Sequence, residues 1–171
     1  TFFFADGWGS DTVTELPAEG TDLLDFSALT NNLTFNLYTD GLSAGYDTNL
    51  VLYSGNDVEN LIGGSSGDNF IFSDQAYLPG NIDGRAGTNT LNFTAYTTGR
   101  DVLLTGKGST IGFAGQELLF GTTFDNINSI QGSDTADDRI TGMDAAATFT
   151  IHSSINDYSV DSNFLAFTEF E

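Results

Sequence analysis

The stretch that decides the fold is Val58 to Phe72, VENLIGGSSGDNFIF, which returns in looser form as Ile127 to Thr141, INSIQGSDTADDRIT. Each copy carries a short apolar run, a Gly- and Ser-rich turn with an acidic residue, and a second apolar run. Two further pairs follow nearly the same offset. Phe2 to Asp6 (FFFAD) matches Phe70 to Asp74 (FIFSD), and Thr21 to Thr30 (TDLLDFSALT) matches Thr88 to Thr97 (TNTLNFTAYT). The repeat is about 68 residues long, and a unit of that size stacked on itself predicts a chain of coils in which each buries its apolar face on its neighbours.

The apolar runs predict strands at 23–29, 33–38, 50–53, 69–73, 91–96, 101–105, 117–120 and 148–152. They are short, rich in aromatic and β-branched residues, and separated by Gly, Asn, Asp and Ser. No segment shows a 3.6-residue apolar period, and helix-favouring residues are scarce. The expected fold is therefore all-β: a parallel β-solenoid, β-helix or β-roll in type, with about three coils per repeat. Its units are expected at 1–68, 69–137 and, in part, 138–158, with 159–171 as a terminal strand or arm of the single domain.

Composition narrows the function. Against 24 Asp plus Glu stand 4 Lys plus Arg, a formal charge of -20 over 171 residues. Such a field repels polyanions and excludes nucleic acid as a partner. Leu, Ile, Val and Phe make up roughly a quarter of the chain, enough to bury a core despite the charge. No apolar run approaches the roughly 20 residues of a bilayer span, so no membrane insertion is expected. Cysteine is absent, which leaves disulfides out of the stabilising inventory.

The turns resemble degenerate copies of the glycine-rich calcium-binding nonapeptide of hemolysin-type, or RTX, proteins, G-G-x-G-x-D-x-U-x with U a large apolar residue. The best copies are Asp6 to Thr14 (DGWGSDTVT), Gly64 to Phe72 (GSSGDNFIF) and Gly84 to Asn92 (GRAGTNTLN); Pro17 to Asp25 and Ser133 to Thr141 are weaker. Longer phrases such as IDGRAGTNTLNFTAYT resemble repeats of large bacterial surface proteins and adhesins. The resemblance implies calcium held by turn carboxylates and carbonyls, with Asp11, Asp22, Asp68, Asp137 and Asp138 as carboxylate ligands and Gly7 and Gly9 as carbonyl donors. Asn stands at positions 69 and 89, where the nonapeptide has Asp. Those two are expected to form an amide ladder instead.

No catalytic set is visible: one His, no Cys, and carboxylates too numerous for any pair to be distinctive. A secreted, extracellular or cell-surface structural segment is therefore expected, as an adhesin stalk module or filament subunit. Copies are expected to stack head to tail, or to stack on adjacent repeats of a larger parent. The alternatives are a glycan-binding adhesin module and a β-helix polysaccharide lyase or epimerase. Recurrent Phe2, Phe4, Phe70 and Phe72 are expected to form a core ladder.

Overall fold

The computed structural model describes residues 1–16, 20–134 and 137–170. It is all-β among those residues, with two mixed sheets. In chain order the strands are β1 Phe2–Phe3, β2 Ser10–Val13, β3 Leu23–Asp25, β4 Thr34–Tyr38, β5 Gly41–Tyr46, β6 Asn49–Ser54, β7 Asn60–Ile62, β8 Asn69–Phe72 and β9 Asn81–Asp83. The second half continues with β10 Thr90–Asn92, β11 Asp101–Lys107, β12 Phe113–Glu117, β13 Thr123–Ile127, β14 Ser129–Gln131, β15 Arg139–Thr141, β16 Thr148–Thr150, β17 Asn156–Val160 and β18 Asn163–Thr168.

One sheet runs β1-β3-β7-β9-β13-β12-β11-β15; the other runs β16-β17-β18-β14-β10-β8-β4-β5-β6-β2. Between β7 and β10 the chain passes from sheet to sheet with each strand and lands parallel to the strand it left one circuit earlier. Parallel neighbours need such a crossover, because a tight turn reverses direction. The circuit is 21 residues long where it is most regular, as Asp68 to Asn89 and Asn60 to Asn81 show.

Extra residues are absorbed as antiparallel excursions: β5–β6 beside β4, β11–β12 beside β13, and β16–β17 beside β18. Sequence periodicity missed β5 altogether, because four of the six residues of GLSAGY are Gly, Ala or Ser and its alternation of Leu42, Ala44 and Tyr46 carries little apolar contrast. Residues 117–120 lie at the end of β12 and in the turn after it, not in a strand of their own. Residues 159–170 hold the end of β17 and all of β18, and β18 pairs in parallel with β14 as an integral strand.

The 68-residue repeat has a different meaning in space from the one its length suggests. From β1 to β8, from β3 to β10 and from β7 to β14 the chain changes sheet five times. Each matched pair therefore joins strands of opposite sheets, and the unit is two and a half circuits rather than three. Identical local chemistry serves both sheets because the strand-turn half-circuit is the true building block. Asp25 Oδ1 accepts from Ser27 N–H and Asn92 Oδ1 accepts from Thr94 N–H. In the same two segments Leu29 N–H donates to Phe26 O and Tyr96 N–H donates to Phe93 O.

Inward positions of both sheets form one buried cluster. Aromatic side chains run through it: Phe4 stacks on Phe26 and Phe35 on Phe70, each pair with centroids 4.5 Å apart. Phe4, Phe70 and Phe72 are core residues, Phe2 is half-buried, and Phe3 points outward at 77% exposure. Charged side chains are interred as well, among them Arg100 and Glu117. Arg100 lies with its guanidinium 4.0 Å from the Tyr96 ring centroid and 5.3 Å from that of Phe120, and its Nη1 is 3.5 Å from Glu117 Oε1.

Three glycines let the turns close. A Cβ on Gly63 would lie 2.3 Å from the Asp68 carboxylate, one on Gly84 2.6 Å from the Asn89 amide, and one on Gly132 2.6 Å from the Asp138 carboxylate. We expect Gly84→Ala to lower stability by about 1–3 kcal/mol, the usual cost of forcing extra volume into a packed site. Gly106→Ala, whose Cβ meets nothing within 4 Å, is the control and is expected to be near neutral. Urea denaturation of the two variants reads the difference.

Candidate functional site

The polar residues with the most organised surroundings sit immediately before strands. Leu33, Asp68, Asn89 and Asn128 precede β4, β8, β10 and β14, which neighbour one another in one sheet. Leu33 N–H donates to Asp68 Oδ1 at 2.8 Å, Asp68 N–H to Asn89 Oδ1 at 2.9 Å, and Asn89 N–H to Asn128 Oδ1 at 3.0 Å. Each circuit thus offers a side-chain oxygen to the backbone of the circuit before it. The other sheet repeats the device, with Asp22 N–H donating to Glu59 Oε2 and Arg100 N–H to Asp138 Oδ1.

The same side chains close their own turns. Asp68 Oδ2 accepts from Gly64 N–H, and Asp138 Oδ2 from Ser133 N–H, each at 2.7 Å. Asn89 Nδ2 instead donates to the carbonyls of Ala86 and Asn126. The choice between Asp and Asn follows: a carboxylate only accepts, and an amide both accepts and donates. Asp stands where its turn presents N–H groups, and Asn89 where its neighbours present carbonyls.

The sequence anticipated an amide ladder at Asn69 and Asn89. Asn89 is in one, but Asn69 lies one residue inside β8 and its partner in the ladder is Asp68. The side-chain period of a strand is two, so a shift of one residue moves a side chain to the other face.

The seven residues expected to bind metal are dispersed in role. Asp68 and Asp138 are buried, and both oxygens of each accept N–H groups. Each of those oxygens spends acceptor capacity on joining circuits or closing a turn. Gly7 and Gly9 adopt left-handed backbone, φ 79° and 75°, and the Gly9 carbonyl accepts from Leu50 N–H. Asp11 is exposed on edge strand β2, Asp22 takes the Thr1 amine at 3.4 Å, and Asp137 is exposed. Among the described residues no three His or acidic side chains gather closely enough to hold a metal. The weaker motifs at 17–25 and 133–141 lie partly outside the described residues.

A family model for the C-terminal domain of serralysin, a peptidase of the M10 class, matches residues 12–166. The chain belongs to that family. The match covers nearly all of both sheets, and it is to the C-terminal domain of serralysin rather than to its peptidase domain. It places the degenerate turns within an RTX-type, calcium-associated repeat class. No match was found among curated proteins or among solved structures.

Burial gives Asp68 a titration of its own. Loss of solvent raises its pKa from 3.8 to about 6, against the opposing pull of the Leu33 and Gly64 N–H groups. Asp138 is raised as well, again chiefly by burial. A raised carboxylate pKa means that the folded state holds the proton more tightly than the unfolded state. The stabilisation is full below about pH 3.8 and is lost as pH rises through about 6. The loss at Asp68 is on the order of 2–3 kcal/mol, set by the size of the shift. Chemical denaturation across this window is expected to show that component in the native chain and its absence in Asp68→Asn.

Proposed function

We propose that this chain is a non-catalytic structural module of the serralysin C-terminal class, a β-roll that serves an extracellular protein as a rigid spacer. The ladder carries this reading. Successive circuits are joined by side-chain-to-backbone hydrogen bonds as well as by strand pairing, which supports a rod-like element whose purpose is shape. Family membership supports the secreted setting, and the net charge of -20 suits media rich in divalent cations.

In this reading calcium acts on the module through the exposed carboxylates Asp11 and Asp137 and the half-buried Asp22, while Asp68 and Asp138 hold the coils together without it. Carboxylate oxygens are hard ligands suited to calcium, and binding only the folded state raises stability with concentration. Thermal unfolding with calcium, with magnesium and with chelator at matched ionic strength is the test. Calcium is expected to raise the midpoint of the native chain and of Asp68→Asn by similar amounts, and to do less for Asp11→Asn/Asp22→Asn. Loss of the calcium response in Asp68→Asn alone would reverse the assignment.

The two ends of the sheets favour end-to-end stacking. Antiparallel steps come in pairs in both sheets, so β1 and β15 run the same way, as do β2 and β16. A second copy placed head to tail would extend both sheets in parallel. At the β1–β2 end an open depression of about 470 Å³ is lined by Phe2, Phe3, Phe4 and β2. Unpaired strand edges beside such a depression are templates for another strand. Sedimentation velocity over a concentration series is expected to show growth of linear oligomers, suppressed by Phe3→Lys. Monomers alone at every concentration would end this reading.

A further inference from the structure

A groove of about 460 Å³ lies on the outer face of the larger sheet, lined in part by the ladder residue Asn128 but by none of the ladder carboxylates. Thr90, Ser129 and Ala166 form its floor. They are direct register partners on the parallel strands β10, β14 and β18. Its walls come from Ile111 and Gly112 of the β11–β12 connection, and from Ser162 of the β17–β18 turn with Asn163 and Phe164 at the start of β18. Asn163 Nδ2 donates to the Gly112 carbonyl at 2.6 Å and ties the walls together. The volume is within the ordinary range for small-ligand sites.

Its chemistry is unlike the rest of the surface. In a chain with 24 acidic residues, no Asp, Glu, Lys or Arg lines this groove. Asp161, next to the lining residue Ser162, is paired with Lys107. The hydroxyls of Thr88, Thr90, Ser129 and Ser162 make no hydrogen bond to the protein among the described residues, and Phe164 is 53% exposed. The groove therefore combines an aromatic face, one aliphatic side chain and several free, uncharged hydrogen-bonding groups. That set matches a ligand with many hydroxyls, apolar C–H faces and no charge. An anionic ligand has no cation to meet there and approaches against the field of the whole chain.

We propose that this groove binds an uncharged carbohydrate, whose sugar ring lies on Phe164 while its hydroxyls pair with Thr90, Ser129 and the neighbouring side chains. The proposal is independent of the spacer reading and of calcium.

The test is a set of amide-resolved NMR titrations of the intact chain with neutral glucan, galactan and mannan oligosaccharides, and with a polyuronate fragment as the charged comparator. At least one neutral oligosaccharide is expected to shift the amides of Thr90, Ser129 and Asn163 at millimolar concentration, with little dependence on salt. Phe164→Ala is expected to weaken that binding about tenfold, the cost of removing a central aromatic contact. Thr90→Val, which keeps the shape of the floor, is expected to weaken it several-fold and provides a second readout should Phe164→Ala disturb the hairpin. The proposal is overturned if no neutral oligosaccharide shifts these amides, if the polyuronate shifts them equally, or if both variants bind as the native chain does. Stability and calcium response, measured on the same samples, report separately on the spacer reading.

Discussion

Parallel strands leave the residue before each strand with a backbone N–H pointing at the next circuit, and this chain answers it with a side-chain oxygen. The run from Leu33 through Asp68 and Asn89 to Asn128 fixes where one coil sits on the next. Much else depends on that contact. The glycines at 63, 84 and 132 are required because the ladder side chain occupies the space where their Cβ atoms would lie. The uneven distribution of Asp and Asn follows from whether a given turn presents donors or acceptors. A buried polar group without its partner is costly, so each rung is locally specified.

The ladder also separates two uses of acidity. Most of the chain's carboxylates lie on the surface, where they add to a strong negative field. Asp68 and Asp138 are inside, and burial raises their pKa values while N–H groups pull the other way. In a family whose turns are associated with calcium, this chain has placed hydrogen-bond donors at the inner carboxylate positions. Backbone N–H groups there join one coil to the next through Leu33 and Asp68 and through Arg100 and Asp138.

Insertions give the module its individuality. The regular 21-residue circuit leaves smooth sheet faces, whereas the β11–β12 connection and the β17–β18 turn meet over β10, β14 and β18 to form a walled groove. Because antiparallel steps come in pairs, these excursions leave strand direction at the ends of both sheets unchanged. Decoration and stacking are thereby compatible within one chain.

Composition and short motifs were enough to establish an all-β chain, its acidic surface, its Gly-dependent turns and fewer than half of its strands, because strand and turn preferences act over a few residues and strands of three residues leave too short a pattern to read. Phe4, Phe70 and Phe72 were legible as core for the same reason. The repeat was also legible, but its geometry was not: a match between half-circuits reads the same whether the two strands lie in one sheet or in opposite sheets. Register decided that Asp68 rather than Asn69 enters the ladder, since one residue along a strand reverses the side chain's direction. Nothing local marks Arg100, which is buried by residues distant in sequence that close over it. The neutral groove has no motif at all, because its floor and walls come from segments that only the paired sheets bring together.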